Sequence, residues 1–199
     1  GSAHGKRVQA MGGAKNHMII LPDADMGRVV EDLLGAGYGS AGERCMATPV
    51  AVPVGDKTAA ALIERLVPKI ESMRIGLPTD ENANYGPLVT AAHRKKVLEF
   101  IDMGVKEGAD GRDFCLQGYE NGFFLGPCLF DKVRPDAYSY KEEIFGPVVQ
   151  IVRAKNFVDA LDLPSKHQYG NGVAVYTQNG AAAREFAARV EVGMVGINV

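Results

Sequence analysis

The chain has 199 residues, 46% of them hydrophobic, enough to enclose a sizeable core; by the usual size of roughly 150 residues per domain it is one compact unit. Its formal charge is −2 with Lys, Arg, Asp and Glu interspersed, which leaves no basic stripe for nucleic acid and no polybasic patch for a membrane surface. No apolar run approaches the ~20 residues of a membrane span, and the first residues lack the charged-then-apolar order of a signal peptide. Three cysteines, Cys45, Cys115 and Cys128, form no C-x-x-C pair. That argues against a disulfide framework and for a reducing compartment, the cytoplasm or the mitochondrial matrix.

In chain order, residues 18–21 read as a strand, and Pro22-Asp23-Ala24-Asp25 then caps a helix whose apolar positions Met26, Val29, Val30, Leu33 and Leu34 recur at three and four residues. The helix ends in a run of glycines, and 48–54 follows as a strand. Residues 57–73 and 91–107 are amphipathic helices, the second with Val97, Phe100, Ile101 and Val105 on one face. The segment 123–130 is less regular. Residues 148–152 read as a buried strand, 157–163 as a helix stopped by Pro164, 173–177 as a strand, 181–190 as a helix and 194–199 as a last strand. Alternating strands and helices predict an α/β domain with a largely parallel sheet flanked by helices.

Gly37-Tyr38-Gly39-Ser40-Ala41-Gly42 fits G-x-G-x-x-G, but a dinucleotide fingerprint follows a strand and opens a helix, whereas these glycines follow a helix. They read instead as a helix end that lets the backbone close around a thiol. That thiol is Cys45, in Gly42-Glu43-Arg44-Cys45-Met46-Ala47. A free cysteine titrates at roughly 8.5, and an adjacent Arg or a turn of free N–H groups favours the thiolate, the reactive species. The Cys45 N–H is then a donor for a developing oxyanion. The competing reading of such a cysteine is a small buried hydrophobe.

The segment Glu143-Ile144-Phe145-Gly146-Pro147, with Gly42-x-x-Cys45 upstream, resembles the aldehyde dehydrogenase superfamily. Gly13-Ala14-Lys15-Asn16, Tyr85-Gly86-Pro87-Leu88, the run Gly122 to Pro127 and Tyr169-Gly170-Asn171-Gly172 match in order and spacing. The resemblance covers essentially the whole chain and implies that 1–199 are the catalytic, thiol-bearing domain, with the NAD-binding Rossmann-type domain absent from these residues. It further implies Cys45 as nucleophile, Glu143 as acceptor for the nicotinamide ribose hydroxyls of NAD, Phe145 packed at the nicotinamide side, and a homo-oligomeric whole enzyme. Family members hold the oxyanion with a second donor, an asparagine from the cofactor domain. Without the resemblance Glu143 is a surface carboxylate and Phe145 core.

One departure from the general pattern matters most. Typical members carry Glu-Leu-Gly-Gly-Lys, whose glutamate activates the water that hydrolyses the thioester; with Lys15 aligned, Met11 stands there. Water needs a base to attack a thioester at neutral pH, whereas a thiol already supplies some thiolate. The loss points to coenzyme A as acyl acceptor and to the acylating, semialdehyde-oxidising members. Arg44 presents a planar fork suited to a carboxylate, so it is the candidate for the acid end of a semialdehyde; the alternative is a structural pair with Glu43 or another carboxylate. His4, His17, His93 and His167 have no metal-ligand spacing, so no metal site is expected. Three alternatives stay open: a semialdehyde dehydrogenase that hydrolyses its thioester with another base, a Cys–His hydrolase, and a non-catalytic module offering sheet edges for oligomerisation.

Overall fold

A computed structural model describes residues 1–113 and 122–199. The described residues form one seven-stranded sheet: β1 (His17–Ile20), β2 (Val50–Pro53), β3 (Asp110–Asp113), β4 (Cys128–Asp131), β5 (Val148–Ile151), β6 (Gly172–Tyr176) and β7 (Met194–Ile197). Their order across the sheet is β3-β4-β5-β2-β1-β6-β7. All neighbours are parallel except β3 and β4. The helices are α1 (Met26–Tyr38), α2 (Asp56–Glu71), α3 (Ala91–Lys106), α4 (Tyr138–Lys141), α5 (Phe157–Lys166) and α6 (Gly180–Arg189).

The central strands are buried along their whole length because helices cover the sheet, so they read as mostly apolar runs rather than as alternation. Helix α1 starts where Asp25 accepts from the Gly27 and Arg28 amides, and it buries Val29, Val30 and Leu33. These contacts bear out the expected cap and apolar face.

Three elements differ from expectation. Helix α5 does not stop at Pro164 but runs through it to Lys166, with the proline ring buried. The proline removes only the N–H that would reach the Ala160 carbonyl, and the helix continues past it, with the Ser165 hydroxyl donating to the Leu161 carbonyl at 2.8 Å. Strand β3, of sequence Asp-Gly-Arg-Asp, carries no apolar alternation and was not expected; it is an edge strand held by antiparallel pairing with β4. Gly111 in β3 leaves room for the Phe130 ring, which would lie 2.7 Å from a Cβ there. The short helix α4 was also unexpected. Cys115 lies outside the described residues.

The pairing register fixes where loops gather. His17 sits opposite both Val50 and Val173, and Val50 lies opposite Gln150. The segments that lead into β1, β2, β5 and β6 therefore meet at the amino edge of the parallel strands. All four expected site residues lie in two of these lead-in segments.

Candidate active site

The Cys45 loop starts where α1 runs out. The Gly39 N–H closes on Gly35, and a tight turn over Gly39–Gly42 holds Ser40 and Ala41 at φ 54° and Gly42 at φ 70°. A Cβ on Gly42 would lie 2.1 Å from the Gly146 carbonyl oxygen, so the left-handed conformation and the contact both require glycine. The thiol loop thereby rests directly on the backbone of the Glu-Ile-Phe-Gly-Pro segment. A further turn, closed by the Ala47 N–H on the Arg44 carbonyl at 3.0 Å, places Cys45 at its first corner.

Two asparagines fix that corner. Asn171 Nδ2 donates to the Cys45 carbonyl at 2.8 Å and Asn16 Nδ2 at 3.0 Å. Asn16 Nδ2 also reaches the Ala47 carbonyl at 2.7 Å, and its Oδ1 accepts from the Gly172 N–H at 3.0 Å. Because Asn16 precedes β1 and Asn171 precedes β6, the central strands carry the clamp to the thiol loop. The Cys45 carbonyl is turned into the protein, its side chain is exposed, and its N–H has no acceptor among the described residues. Cys128 is buried.

The second loop is built around Lys15. Its Nζ is fully buried and donates to the Ser139 and Glu142 carbonyls, each at 2.8 Å. Burial lowers its pKa to about 7, against the opposing pull of the Glu143 and Glu142 charges. Next along the chain, Glu143 Oε1 accepts from the Ala14 N–H at 2.9 Å, and the half-buried carboxylate keeps its second oxygen without a partner among the described residues. Phe145 is half-buried and adopts φ 59°, rare for a bulky side chain. Its carbonyl accepts from His93 Nε2 at 2.6 Å.

Arg44, Glu143 and Phe145 line one small cavity, of about 20 Å³, with Ala14 and Gly42. Cys45 stands beside it on the exposed rim of the loop. Arg44 makes no ion pair with a carboxylate among the described residues; its Nη2 donates to the Gly35 carbonyl at 2.6 Å, near the carbonyl end of α1, where a cation is favoured. Met11 is 86% exposed.

Several residues of the site were not read from sequence. Asn16 and Asn171 stood inside matched segments without a role, and Lys15 served only to align the motif. His17, fully buried against Tyr140 and His167, has its pKa lowered to about 3, chiefly by burial. His93 and Glu43 gave no local signal, since their contacts are tertiary. No group of three or more His, Cys, Asp or Glu side chains that could hold a metal ion occurs among the described residues, and none of the described helices is long and apolar enough to cross a membrane.

Comparison with known proteins follows the same lines. The model of the aldehyde dehydrogenase family matches residues 1–199. The malonate-semialdehyde dehydrogenase of Pseudomonas aeruginosa is 54% identical over 203 residues, covering 100% of this chain and 41% of that protein. The human mitochondrial acylating methylmalonate-semialdehyde/malonate-semialdehyde dehydrogenase is 44% identical, again over 100% of this chain and 38% of its own length. Among solved structures, a Sinorhizobium meliloti protein assigned as a methylmalonate-semialdehyde dehydrogenase and complexed with NAD superposes with a TM-score of 0.94 at 60% identity, over 100% of this chain and 41% of that one. This chain thus spans about two fifths of the length of these relatives.

Proposed function

The chain belongs to the aldehyde dehydrogenase family, and on that premise we propose that it is the thiol-bearing catalytic domain of an NAD-dependent, CoA-acylating malonate- or methylmalonate-semialdehyde dehydrogenase. The observation that carries the reading is the Cys45 corner: an exposed thiol whose own carbonyl is clamped inward by Asn16 and Asn171 while its N–H stays open. This arrangement offers a nucleophile and a preset oxyanion donor on one turn. In the proposed enzyme the Rossmann-type cofactor domain lies outside these 199 residues, the whole protein is a homo-oligomer, and it works in a reducing compartment, the cytoplasm or the mitochondrial matrix.

Cys45 attacks the aldehyde carbon as the thiolate, and its N–H stabilises the oxyanion of the adduct. Arg44 keeps guanidinium donors beyond the one on Gly35, and these take the carboxylate of the semialdehyde. The residues present fit one end of NAD: Glu143 has an uncommitted carboxylate oxygen for ribose hydroxyls, and Phe145 sets an aromatic face beside it. NAD, when bound, supplies the acceptor for the two electrons that leave the adduct carbon. Cys45 then holds the acyl group as a thioester. With exposed Met11 in place of a general base, the acyl group passes to the thiol of coenzyme A rather than to water.

Intact-protein and peptide mass spectrometry on the whole enzyme, incubated with semialdehyde and NAD without coenzyme A, tests this reading. Acyl mass on the Cys45 peptide, absent from Cys45→Ala, is the expected result. Acylation elsewhere, or oxidation retained by Cys45→Ala, contradicts it. A module that only pairs sheet edges gives no acylation at all.

A further inference from the structure

His93 stands in the first turn of α3, where Thr90 caps the helix by accepting from the His93 N–H at 3.1 Å. Its ring leaves the helix and enters the space between the two loops of the site. There Nε2 lies 2.6 Å from the Phe145 carbonyl oxygen and 3.4 Å from Glu43 Oε1. The tautomer with hydrogen on Nε2 satisfies this geometry, donating to Phe145 while the Glu43 carboxylate faces the same N–H. The His93 and Phe145 rings also meet edge to face, with centroids 6.1 Å apart. Glu43 is itself anchored: its side chain is 10% exposed and Oε1 accepts from the Val89 N–H at 3.3 Å.

Each partner matters because of its neighbours. Glu43 is two residues before Cys45, and Phe145 follows Glu143 by two. Phe145 holds a left-handed backbone that a bulky residue keeps only when its surroundings over-determine it. The bond from His93 to its carbonyl, the His93 ring against its side chain and the stacking of Gly42 on Gly146 are among the contacts that do so.

We propose that His93 is a positioning residue that ties the nucleophile loop, through Glu43, to the nicotinamide-side loop, through Phe145, and so sets the separation between the thiol adduct and the electron acceptor. The proposal rests on the assignment of Cys45 and Phe145 given above. The chemistry needs such a strut. The atoms that exchange two electrons belong to molecules held by different loops, and displacement by about 1 Å is enough to slow a step about a hundredfold.

The test compares His93→Leu, His93→Gln and Glu43→Gln in the whole enzyme, with three readouts. Acylation of Cys45 by p-nitrophenyl acetate needs the thiol and its own N–H but no NAD, so its burst rate in His93→Leu stays within about twofold of the parent. The calorimetric Kd for NAD rises about tenfold in His93→Leu, and the primary isotope effect with semialdehyde deuterated at the aldehyde carbon increases as that step becomes limiting. His93→Gln, whose amide nitrogen reaches the same position, restores both, and Glu43→Gln gives an intermediate isotope effect. An unchanged Kd and isotope effect in His93→Leu overturn the proposal, as does a loss of the burst in parallel with oxidation. The underlying reading fails separately, if Cys45→Ala keeps the p-nitrophenolate burst.

Discussion

Gly42 and Gly146 touch backbone to backbone: a Cβ on Gly42 would lie 2.1 Å from the Gly146 carbonyl oxygen. Gly42 is also held at φ 70°. Gly42→Ala is therefore expected to cost about 2–3 kcal/mol, combining left-handed strain with displacement of the opposing strand lead-in. Urea denaturation of the 199-residue chain measures it. A cost below about 0.5 kcal/mol would mean that the two loops separate freely.

Asn16 and Asn171 share one acceptor but are not equivalent. Asn16→Ala strips the Gly172 N–H of its acceptor and the Ala47 carbonyl of its donor, so about 2–4 kcal/mol is expected. Asn171→Ala removes the bond to Cys45 O and leaves Asn16 on it, so about 0.5–1.5 kcal/mol is expected. Iodoacetamide should label exposed Cys45 ahead of buried Cys128 in the parent chain. Both variants should lower the Cys45 rate, Asn16→Ala more. Equal stability losses would show that the clamp is not centred on Asn16.

How much was legible follows from where each signal resides. The parallel strands are readable because both faces are buried and most of their residues are apolar, Val and Ile foremost. Strand β3 is not, because pairing with β4, rather than its own composition, makes Asp-Gly-Arg-Asp extended. Pro164 misleads because its missing N–H costs one helical bond, which the burial of its ring in α5 offsets. In the site, Cys45, Glu143 and Phe145 sit in contiguous motifs, whereas His93 reaches its partner across 52 residues and leaves no periodic trace. Arg44 is the mixed case: its residue type suggested a carboxylate partner, whereas the contact it makes, with the Gly35 carbonyl, left no local signal.

His17 makes the fold sensitive to acid. Its pKa falls from 6.5 to about 3 on burial, so the folded chain keeps it neutral while the unfolded chain takes up a proton. The stability it contributes is complete above about pH 6.5 and is lost as pH falls toward 3, at about 1.4 kcal/mol per pH unit in that window. His167, also lowered chiefly by burial, acts in the same direction. His17→Gln should flatten the curve of unfolding free energy against pH by roughly one proton between pH 6 and 4. An unchanged slope would assign acid sensitivity to other groups.

Arg44→Leu in the whole enzyme should raise KM for a carboxylated semialdehyde far more than for propanal, which has no acid group to pair. About 1.5–3 kcal/mol of binding is expected to go with a charge-assisted hydrogen bond. Equal losses on both substrates would instead make Arg44 a brace, acting through its bond to Gly35.

Under the proposed reading of Cys45, the acyl group formed on it leaves to a thiol rather than to water. The most direct test is product analysis by mass spectrometry after the whole enzyme turns over semialdehyde and NAD, with and without coenzyme A. The expected result is an acyl-CoA thioester with coenzyme A and, without it, arrest near one equivalent of reduced NAD per Cys45. Free carboxylic acid formed at an undiminished rate without coenzyme A would contradict it.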